Sequence, residues 1–456
     1  MKYFFLSLLA SMTLLTITPS KAQRSAADFF EEGNTKARTG NYVGAIQDFT
    51  TVLTMSPDHA PSLFNRGLSK ASLKDYRGAI VDYDRAIEIN PKESLYYESR
   101  GVCKSLQENY TEALQDYSKA IELDPSQAKA YYNRGVSHAK LNHLRQAIQD
   151  LDKALSLEPD DVPALYARGN CRQDMQEYAG SLADFTRVIE LSPKRTGAYG
   201  SRGLAKLELG DYQGASSDFT KALELSPNEA WYHTNRGFCK NKLEDFQGAL
   251  MDYDKTIELD PSNYEAFYGR GFAKSKLGDQ LGAIKDLDEA ITLKNKFAGS
   301  PPKKFYQFWI KTEHPSGPLD QSTLDQLRKQ VLVSTEIQDL SSDRAEAYFI
   351  RGLSKTKSGN TKSALADYTK AIEITPTYTD AFYSRALAYS EQGNQYQAIH
   401  DLTSALKLKP SFTEAFYLRG VFKLNLGATQ EGCLDLSTAG SMGYKAAYTL
   451  IDTYCD

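Results

Sequence analysis

Two charged residues recur along this chain at a constant separation of 16 residues, an arginine followed by an aspartate. Arginine binds a carboxylate through two parallel N–H···O hydrogen bonds, which suits a partly buried site. The arginines are Arg66, Arg100, Arg134, Arg168, Arg202, Arg236, Arg270, Arg351, Arg385 and Arg419. The aspartates are Asp82, Asp116, Asp150, Asp184, Asp218, Asp252, Asp286, Asp367, Asp401 and Asp435, with Asp48 preceding them in the same series. This spacing indicates ion pairing rather than catalysis.

The recurring pairs have a structural and a functional interpretation. A lysine or arginine usually follows the arginine by four residues, as Lys70, Lys104 and Lys206 do, and like charges at that helical spacing repel each other. A nearby aspartate would relieve the repulsion. We interpret the pairs as a ladder that joins two helices, or neighbouring repeats, and sets their register. The alternative is a basic stripe that binds an acidic ligand.

Residues for enzymatic chemistry are scattered. The histidines are His59, His138, His143, His233, His314 and His400. His138 and His143 are five residues apart, a poor helical spacing for a shared metal ion. No phosphate-binding loop, nucleophile elbow or metalloprotease motif occurs in the sequence. We therefore predict no catalytic residue, no metal site and no cofactor, so that any enzymatic function would have to reside in the irregular segment described below.

A period of 34 residues, repeated eleven times, organises the chain. Its eighth position, counted from Ala26, is glycine in ten repeats, and its twentieth position is always small, as in Gly67 and Ala79. Apolar residues of helical period lie on both sides of a short turn, so each repeat is predicted to be two antiparallel helices. We expect the glycine and the small residue to face each other where the helices approach closely.

A proline near the end of most repeats, such as Pro91 or Pro227, ends the second helix. One hairpin buries too little apolar surface to be stable alone, so consecutive hairpins must stack into a solenoid with a concave inner face. The sequence therefore predicts an all-α fold. Repeats one to eight span 26–295 and repeats nine to eleven span 345–446, with an insertion at 296–344.

These residues resemble the tetratricopeptide repeat (TPR), with glycine at position 8, alanine at positions 20 and 27, aromatic residues at 17 and 24, and proline at 32. The resemblance covers roughly four fifths of the chain. It implies a right-handed superhelix of helix pairs that binds proteins or peptides, and it implies no catalysis.

Aromatic residues at position 5 are the first candidates for ligand contact, because the resemblance places the first helices on the concave side. Aromatic rings bury large areas and stack on peptides or sugars. The candidates are Phe64, Tyr132, Tyr166 and Tyr268. The alternative is that these rings serve the packing of the repeat. Lysine at position 5 is absent and asparagine occupies position 9 only as Asn34 and Asn170, so the carboxylate clamp of chaperone-binding relatives is not expected.

The insertion at 296–344 carries a second set of candidates. It contains a cluster of aromatic residues between turn-forming segments, followed by a capping-box pattern that leads into a helix. The cluster is Phe305, Tyr306, Phe308 and Trp309. Long segments inside a compact array are often functional, so the cluster is a candidate partner-binding knob. The alternative is a degenerate hairpin whose rings pack on the solenoid.

The first 22 residues resemble a secretory signal, with Lys2, an apolar run from Tyr3 to Thr18, and a small-x-small cleavage site that ends at Ala22. The alternative is a membrane anchor, for which the run is short against a span of about 20 residues. Without Lys2 and Lys21 the formal net charge falls from −4 to −6, which argues against nucleic acid or an anionic membrane as partner. We predict a periplasmic or secreted protein.

Five cysteines would then meet an oxidising compartment. Cys103, Cys171 and Cys239 share one repeat position at intervals of 68 residues, too far apart for the Cα separation of about 7 Å that a disulfide permits. Cys433 lies in the last repeat. Cys455 ends a helix that is predicted to begin at Tyr444 and to cap the solenoid. Residues 447–456 form the end of this capping helix. Cys433 and Cys455 form either a disulfide or two separate core residues.

Together these features predict a non-enzymatic protein-interaction scaffold of the bacterial cell envelope. Its partner would be a protein or peptide bound on the concave surface, on the insertion, or on both. The alternative from another class is a glycan-binding protein that uses the concave aromatic residues. No extra helix is predicted before Phe29, which leaves self-association open.

Overall fold

The computed structural model describes residues 24–296 and 342–455. Within these ranges it consists of eleven helical hairpins and one terminal helix, without strands, which confirms the predicted all-α fold. The predicted signal (1–22) and the aromatic cluster Phe305, Tyr306, Phe308 and Trp309 lie outside the described residues.

Two compact units are distinguished, one up to Pro193 and one from Lys194 onward. The N-terminal unit holds five hairpins. Their helices are α1 (Ala26–Arg38), α2 (Tyr42–Met55), α3 (Ala60–Ser72), α4 (Tyr76–Ile89), α5 (Ser94–Leu106), α6 (Tyr110–Leu123), α7 (Ala128–Lys140), α8 (Leu144–Leu157), α9 (Val162–Asp174) and α10 (Tyr178–Leu191).

The C-terminal unit holds six hairpins and the terminal helix. Its helices are α11 (Thr196–Glu208), α12 (Tyr212–Leu225), α13 (Ala230–Lys242), α14 (Phe246–Leu259), α15 (Tyr264–Leu277), α16 (Gln280–Lys296), α17 (Ser342–Lys357), α18 (Thr361–Ile374), α19 (Thr379–Glu391), α20 (Gln395–Leu408), α21 (Thr413–Asn425), α22 (Thr429–Ser441) and α23 (Lys445–Tyr454).

The turn inside each hairpin reverses at one residue with positive φ. Six of the eleven turns use glycine there, as at Gly210 (φ 79°), and five use another residue, as at Glu244 (φ 61°). The next residue often caps the second helix: the carboxylate of Asp211 accepts a hydrogen bond from the Gly214 N–H over 2.8 Å. Local sequence therefore defines where each second helix begins.

Nine of the eleven second helices end two residues before a proline. Asn90 (φ −131°, ψ 86°) precedes Pro91, and Ser226 (φ −143°, ψ 82°) precedes Pro227, both outside the helical region of φ and ψ. Proline disfavours helical angles in the residue before it, which ends the helix at that point. The chain then turns into the next hairpin.

The glycine at position 8 makes room for an aromatic ring of the second helix. A Cβ added to Gly67 would lie 2.6 Å from Cε1 of Tyr83, which is 1 % exposed. We expected this glycine to face the small residue at position 20. The backbone at that position approaches as well, since the Ala147 oxygen lies 3.1 Å from the Cβ site of Gly135. In the hairpin of Gly67, the Tyr83 ring occupies most of the space next to the glycine.

The eighth hairpin (α15–α16) packs directly against the ninth (α17–α18), although 45 residues lie between α16 and α17. The Oγ atoms of Ser275 and Ser354 are 3.1 Å apart. Ser105 and Ser137, which occupy the same two repeat positions in adjacent hairpins, are 3.2 Å apart. The stack is therefore continuous across the site of the insertion.

The terminal helix α23 covers the last hairpin. Tyr444, its N-cap residue, stacks on Tyr417 with ring centroids 4.7 Å apart, and Ala447 is fully buried against the same cluster. Cys433 of α22 and Cys455 form a disulfide, with Cα atoms 5.6 Å apart. The disulfide ties the end of the chain to the last repeat.

Candidate functional site

The recurring arginines and aspartates form ion pairs within ten of the eleven hairpins, and in the first hairpin Asp48 pairs with Lys36 instead. In the second hairpin, Arg66 donates from Nε to Asp82 Oδ2 over 2.9 Å and from Nη2 to Oδ1 over 2.6 Å. The same two hydrogen bonds join Arg134 to Asp150 and Arg202 to Asp218. The arginine lies on the first helix and the aspartate on the second, so each pair clamps one hairpin closed.

A second lysine or arginine completes eight of the ten pairs, and the remaining arginine nitrogen reaches the preceding hairpin, as the third hairpin shows. The Lys104 ammonium lies 2.9 Å from Asp116 Oδ2, on the carboxylate that Arg100 also contacts. Nη1 of Arg100 donates to Asp84 of the preceding hairpin over 2.6 Å. We call this arrangement of arginine, second cation and aspartate the ion-pair network. It joins the helices of a hairpin and also joins adjacent hairpins.

The network controls the charge state of its aspartates. Burial by itself would raise the pKa of Asp252, which is 2 % exposed. Hydrogen bonds from His233, Arg236 and Lys240 outweigh the effect of burial and lower the pKa to about 2. The carboxylate is therefore ionised at neutral pH and balances the cations around it.

The charges of the network are used inside the protein. The aspartates are nearly inaccessible, as Asp116 (3 % exposed) and Asp218 (4 %) illustrate. The guanidinium groups of Arg100 and Arg202 donate hydrogen bonds to these carboxylates. Because these cations already have anionic partners, the network is poorly suited to serve as a basic stripe for an acidic ligand.

The predicted position-5 aromatics lie in the packing between successive hairpins. The Phe64 ring lies between Tyr83 of its own hairpin and Tyr96 of the next one, at centroid distances of 5.7 and 4.9 Å. The Tyr166 ring is 5.6 Å from that of Phe185.

Of the other two candidates of this set, Tyr132 is half-buried, and Tyr268 is 5 % exposed, within the core around α15 and α16. Tyr268 offers a ligand little surface, because its ring packs in the core between hairpins, and its role as a partner-binding residue stays a prediction. Phe64 and Tyr166 are half-buried. The glycan-binding alternative depended on these rings as exposed platforms, and their placement does not support it.

Two lysines that sequence reasoning did not single out lie on the first helices of the C-terminal unit. Lys242 ends α13 and Lys276 lies at the equivalent position of α15. Each ammonium lies 5.5 Å from the centroid of a ring four residues earlier, Phe238 and Phe272 respectively. The sequence could have pointed to them, because lysine occupies position 13 in three successive repeats, the third being Lys357. We call Lys242, Lys276 and Lys357 the lysine row.

A polar groove lies on the first helices of the N-terminal unit. It has a volume of about 620 Å³ and is lined by Glu31, Asn34 and Arg38 of α1 and by Asn65 and Leu68 of α3. The Asn65 amide donates to Asn34 Oδ1 over 2.8 Å across the groove. In both units, therefore, first helices expose polar side chains that the ion-pair network does not use.

Comparison with known families identifies the repeat. Models described as tetratricopeptide repeat match residues 60–93 and 128–161, and 196–229 and 379–412, and a model described as TPR repeat matches 106–142 and 352–393. The segments that these models match are similar to tetratricopeptide repeats. No curated protein matches its sequence.

Solved structures of TPR proteins are similar to part of the chain. One is the C-terminal part of a TPR protein from Cytophaga hutchinsonii (21 % identity, 53 % of this chain and 98 % of that one, TM-score 0.45). Another is a TPR protein from Parabacteroides merdae (20 % identity, 54 % and 98 %, TM-score 0.40). A third is YrrB, described as a TPR protein with an unusual peptide-binding site (24 % identity, 40 % and 94 %, TM-score 0.37).

The remaining chemistry-bearing residues of the TPR array are structural or isolated. The thiols of Cys103, Cys171 and Cys239 are free and buried. The Nδ1 atoms of His138 and His143 lie 3.5 Å apart, but the described residues contain no group of three or more side chains arranged to hold a metal ion. Of the helices in the described ranges, none has the length and apolarity needed to cross a membrane.

Proposed function

We propose that this protein is a non-enzymatic scaffold that binds a protein or peptide along the first helices of its TPRs. The observation that carries the proposal is that one set of side chains holds the hairpins together and a different set lines the groove on the first helices. The ion-pair network and the position-24 rings hold the hairpins together. The polar residues of the α1–α3 groove take no part in that packing, so they are available for a partner.

We also propose that the protein acts in the bacterial cell envelope after export. Residues 1–22 have the pattern of a secretory signal. The Cys433–Cys455 disulfide is consistent with an oxidising compartment, because disulfides are rare where thiols are kept reduced. Fusion of residues 1–30 to alkaline phosphatase lacking its own signal would test export, since that reporter is active only where its disulfides form. An inactive fusion would contradict export.

Affinity capture from an envelope extract tests the binding function. The bait is the chain from Gln23, compared with a variant in which 297–341 is replaced by a six-residue Gly-Ser linker. Because α16 and α17 already pack together, the linker needs to span only the gap between two neighbouring helices. A thermal melt of the variant checks its fold.

The two baits separate the candidate surfaces. We expect both to retain the same partner, identified by mass spectrometry, because the proposed surface lies on the repeats. Loss of the partner with the linker variant would move the site to the insertion and to Phe305, Tyr306, Phe308 and Trp309. Capture of no protein by either bait, together with a tryptophan fluorescence response to soluble oligosaccharides, would overturn the scaffold proposal in favour of glycan binding.

A further inference from the structure

The turn of the fourth hairpin brings two histidines together. His138 lies in the last turn of α7, and His143 is the N-cap residue of α8. The His143 N–H donates to the His138 carbonyl oxygen over 2.8 Å, and Asn142, which lies between them, has a positive φ of 60°. Because their separation of five residues spans a turn, the spacing of a continuous helix does not keep the two rings apart.

The fourth hairpin differs from the others at these two positions, which are positions 11 and 16 of the repeat. In the third hairpin they are Lys104 and Asn109. Lysine or arginine occupies position 11 in nine of the eleven repeats, and histidine occurs at either position only in the fourth. This hairpin therefore has two imidazoles where its neighbours have a cation of the ion-pair network and a polar capping residue. Neutral imidazole is the commonest metal ligand in proteins.

The Nδ1 atoms of the two histidines approach each other. They lie 3.5 Å apart, with the ring centroids 5.7 Å apart. This separation is long for a hydrogen bond from an N–H group, which is typically about 2.7 to 3.2 Å. Zinc–nitrogen bonds of about 2.0 to 2.1 Å place two nitrogen ligands of one tetrahedral zinc ion about 3.3 to 3.4 Å apart. The two atoms therefore lie close to the separation that a shared metal ion requires.

The other ring nitrogen of His138 lies near a carboxylate. Nε2 is 4.0 Å from Oδ2 of Asp150, which also accepts a hydrogen bond from Arg134 Nε over 2.8 Å. A metal ion on Nδ1 requires the proton of the neutral ring to reside on Nε2, where the carboxylate attracts it. Histidine ligands usually have such an acceptor, which sets the tautomer and orients the ring. Arg134 is held by both oxygens of Asp150, so its own charge is balanced.

We propose that His138 and His143 bind a divalent transition-metal ion, with zinc as the ion, through their Nδ1 atoms. Imidazole nitrogen suits zinc, copper and nickel, whereas calcium and magnesium prefer oxygen ligands. Water completes the coordination, because no third metal-binding side chain joins the group among the described residues. His143 is exposed and His138 half-buried, so the ion enters from solvent.

The bound ion links the end of α7 to the beginning of α8. It also places positive charge on the side of Asp150 where Lys104 lies on Asp116 in the preceding hairpin. This inference goes beyond the proposed function and does not depend on it, since zinc binding is measured without a partner.

Calorimetric titration tests the site. The mature chain from Gln23, without a histidine tag and treated with a chelator, is titrated with zinc chloride at pH 7.5 in excess magnesium. We expect saturable binding of one zinc ion at this site. Absence of saturable zinc binding, or its suppression by magnesium, would overturn the proposal.

Matched variants test the two ligands. H138K and H143N install the residue types of the third hairpin, Lys104 and Asn109, so each should fold, as a thermal melt checks. Each should bind zinc at least tenfold more weakly than the native chain. H400Q is the control, because it removes an exposed histidine of α20 and should bind zinc as the native chain does. Unchanged affinity in H138K and H143N, or an equal loss in H400Q, would overturn the assignment.

Two measurements locate the ion. Electron paramagnetic resonance of the chain with one equivalent of copper(II) should show hyperfine coupling to two imidazole nitrogens, and to fewer in H143N. Zinc should also slow amide hydrogen exchange at the end of α7 and the beginning of α8, with no change in α15 and α16. The same nitrogen coupling in H143N, or zinc binding that leaves exchange at this turn unchanged, would show that the ion lies elsewhere and overturn the proposal.

Discussion

The Arg351 guanidinium and the Asp288 carboxylate lie 63 residues apart in sequence, and Nη1 donates to Oδ1 over 2.6 Å. The same contact joins Arg100 to Asp84 over a sequence separation of only 16 residues. The ninth hairpin thus meets the eighth in the regular way. The eighth and ninth hairpins therefore stack as other neighbouring hairpins do, although a long segment separates them in sequence. We expect the linker variant described above to keep the melting temperature of the native chain.

Removal of one network carboxylate should destabilise the C-terminal unit strongly. Asp218 is buried and accepts hydrogen bonds from Arg202 and Lys206. Asp218→Asn leaves these cations without a counter-ion, for which we expect a loss of about 3 to 5 kcal/mol of unfolding free energy. Denaturant titration followed by circular dichroism measures it. Asp254→Asn is the control, because this carboxylate is exposed on its pair with Arg270 and should cost less than about 1 kcal/mol. Similar losses in the two variants would contradict the role of burial.

Stability should fall in acid through Asp252. Its pKa is about 2 in the folded protein, below the ordinary value of 3.8, so the folded state binds fewer protons than the unfolded state in this range. The stabilisation is therefore present above about pH 4 and is lost as the pH falls towards 2, by about 2 kcal/mol. Asp252→Asn should flatten this part of the pH–stability curve. A variant curve parallel to that of the native chain would show that Asp252 is not responsible.

Reduction of the disulfide should loosen the end of the array. Cys433 and Cys455 enclose a loop of 22 residues, and closing a loop of this size contributes about 3 kcal/mol by restricting the unfolded chain. Dithiothreitol should speed amide hydrogen exchange in α22 and α23 and leave exchange in α1 to α10 unchanged. C433S/C455S should show the fast exchange without reductant and no further response to it. A native protein indifferent to dithiothreitol would contradict this role.

The free thiols should be unreactive until the protein unfolds. Burial raises the pKa of Cys103 and Cys171 to about 11 and that of Cys239 to about 12. Almost no thiolate is therefore present at pH 8, and the thiolate is the reactive species. Iodoacetamide should leave all three unmodified in the folded chain and label them in guanidinium chloride, as read by mass spectrometry. Labelling of Cys239 under native conditions would indicate local opening of α13.

Much of the local structure can be predicted from the residue types at particular positions of the repeat. Proline before the next repeat and a polar cap after the turn place the helix ends, as at Asn90 and Asp211, because these effects act within a few residues. The 16-residue spacing puts Arg202 and Asp218 on the two helices of one hairpin, where they meet. The positive φ of Glu244 was not predicted, because that position carries glycine in only some repeats.

The sequence did not predict which face of a helix remains exposed to a partner. Phe64 and Tyr268 have the same residue types that a ligand surface would use, and they lie between hairpins because their neighbours in space, Tyr96 for Phe64 among them, come from other repeats. Lys242 was not singled out from the sequence. Its position over Phe238 emerges only when the chain is folded.

The amino-acid sequence by itself determined the repeat, its two helices and the residues that clamp them, because helix formation, capping and the 16-residue pairing act over distances shorter than one repeat. The tertiary structure alone decided which rings are buried, that the eighth and ninth hairpins stack directly, that Cys433 pairs with Cys455, and that the lysine row runs along the first helices. These outcomes depend on contacts between repeats, where residues distant in sequence compete for the same surface.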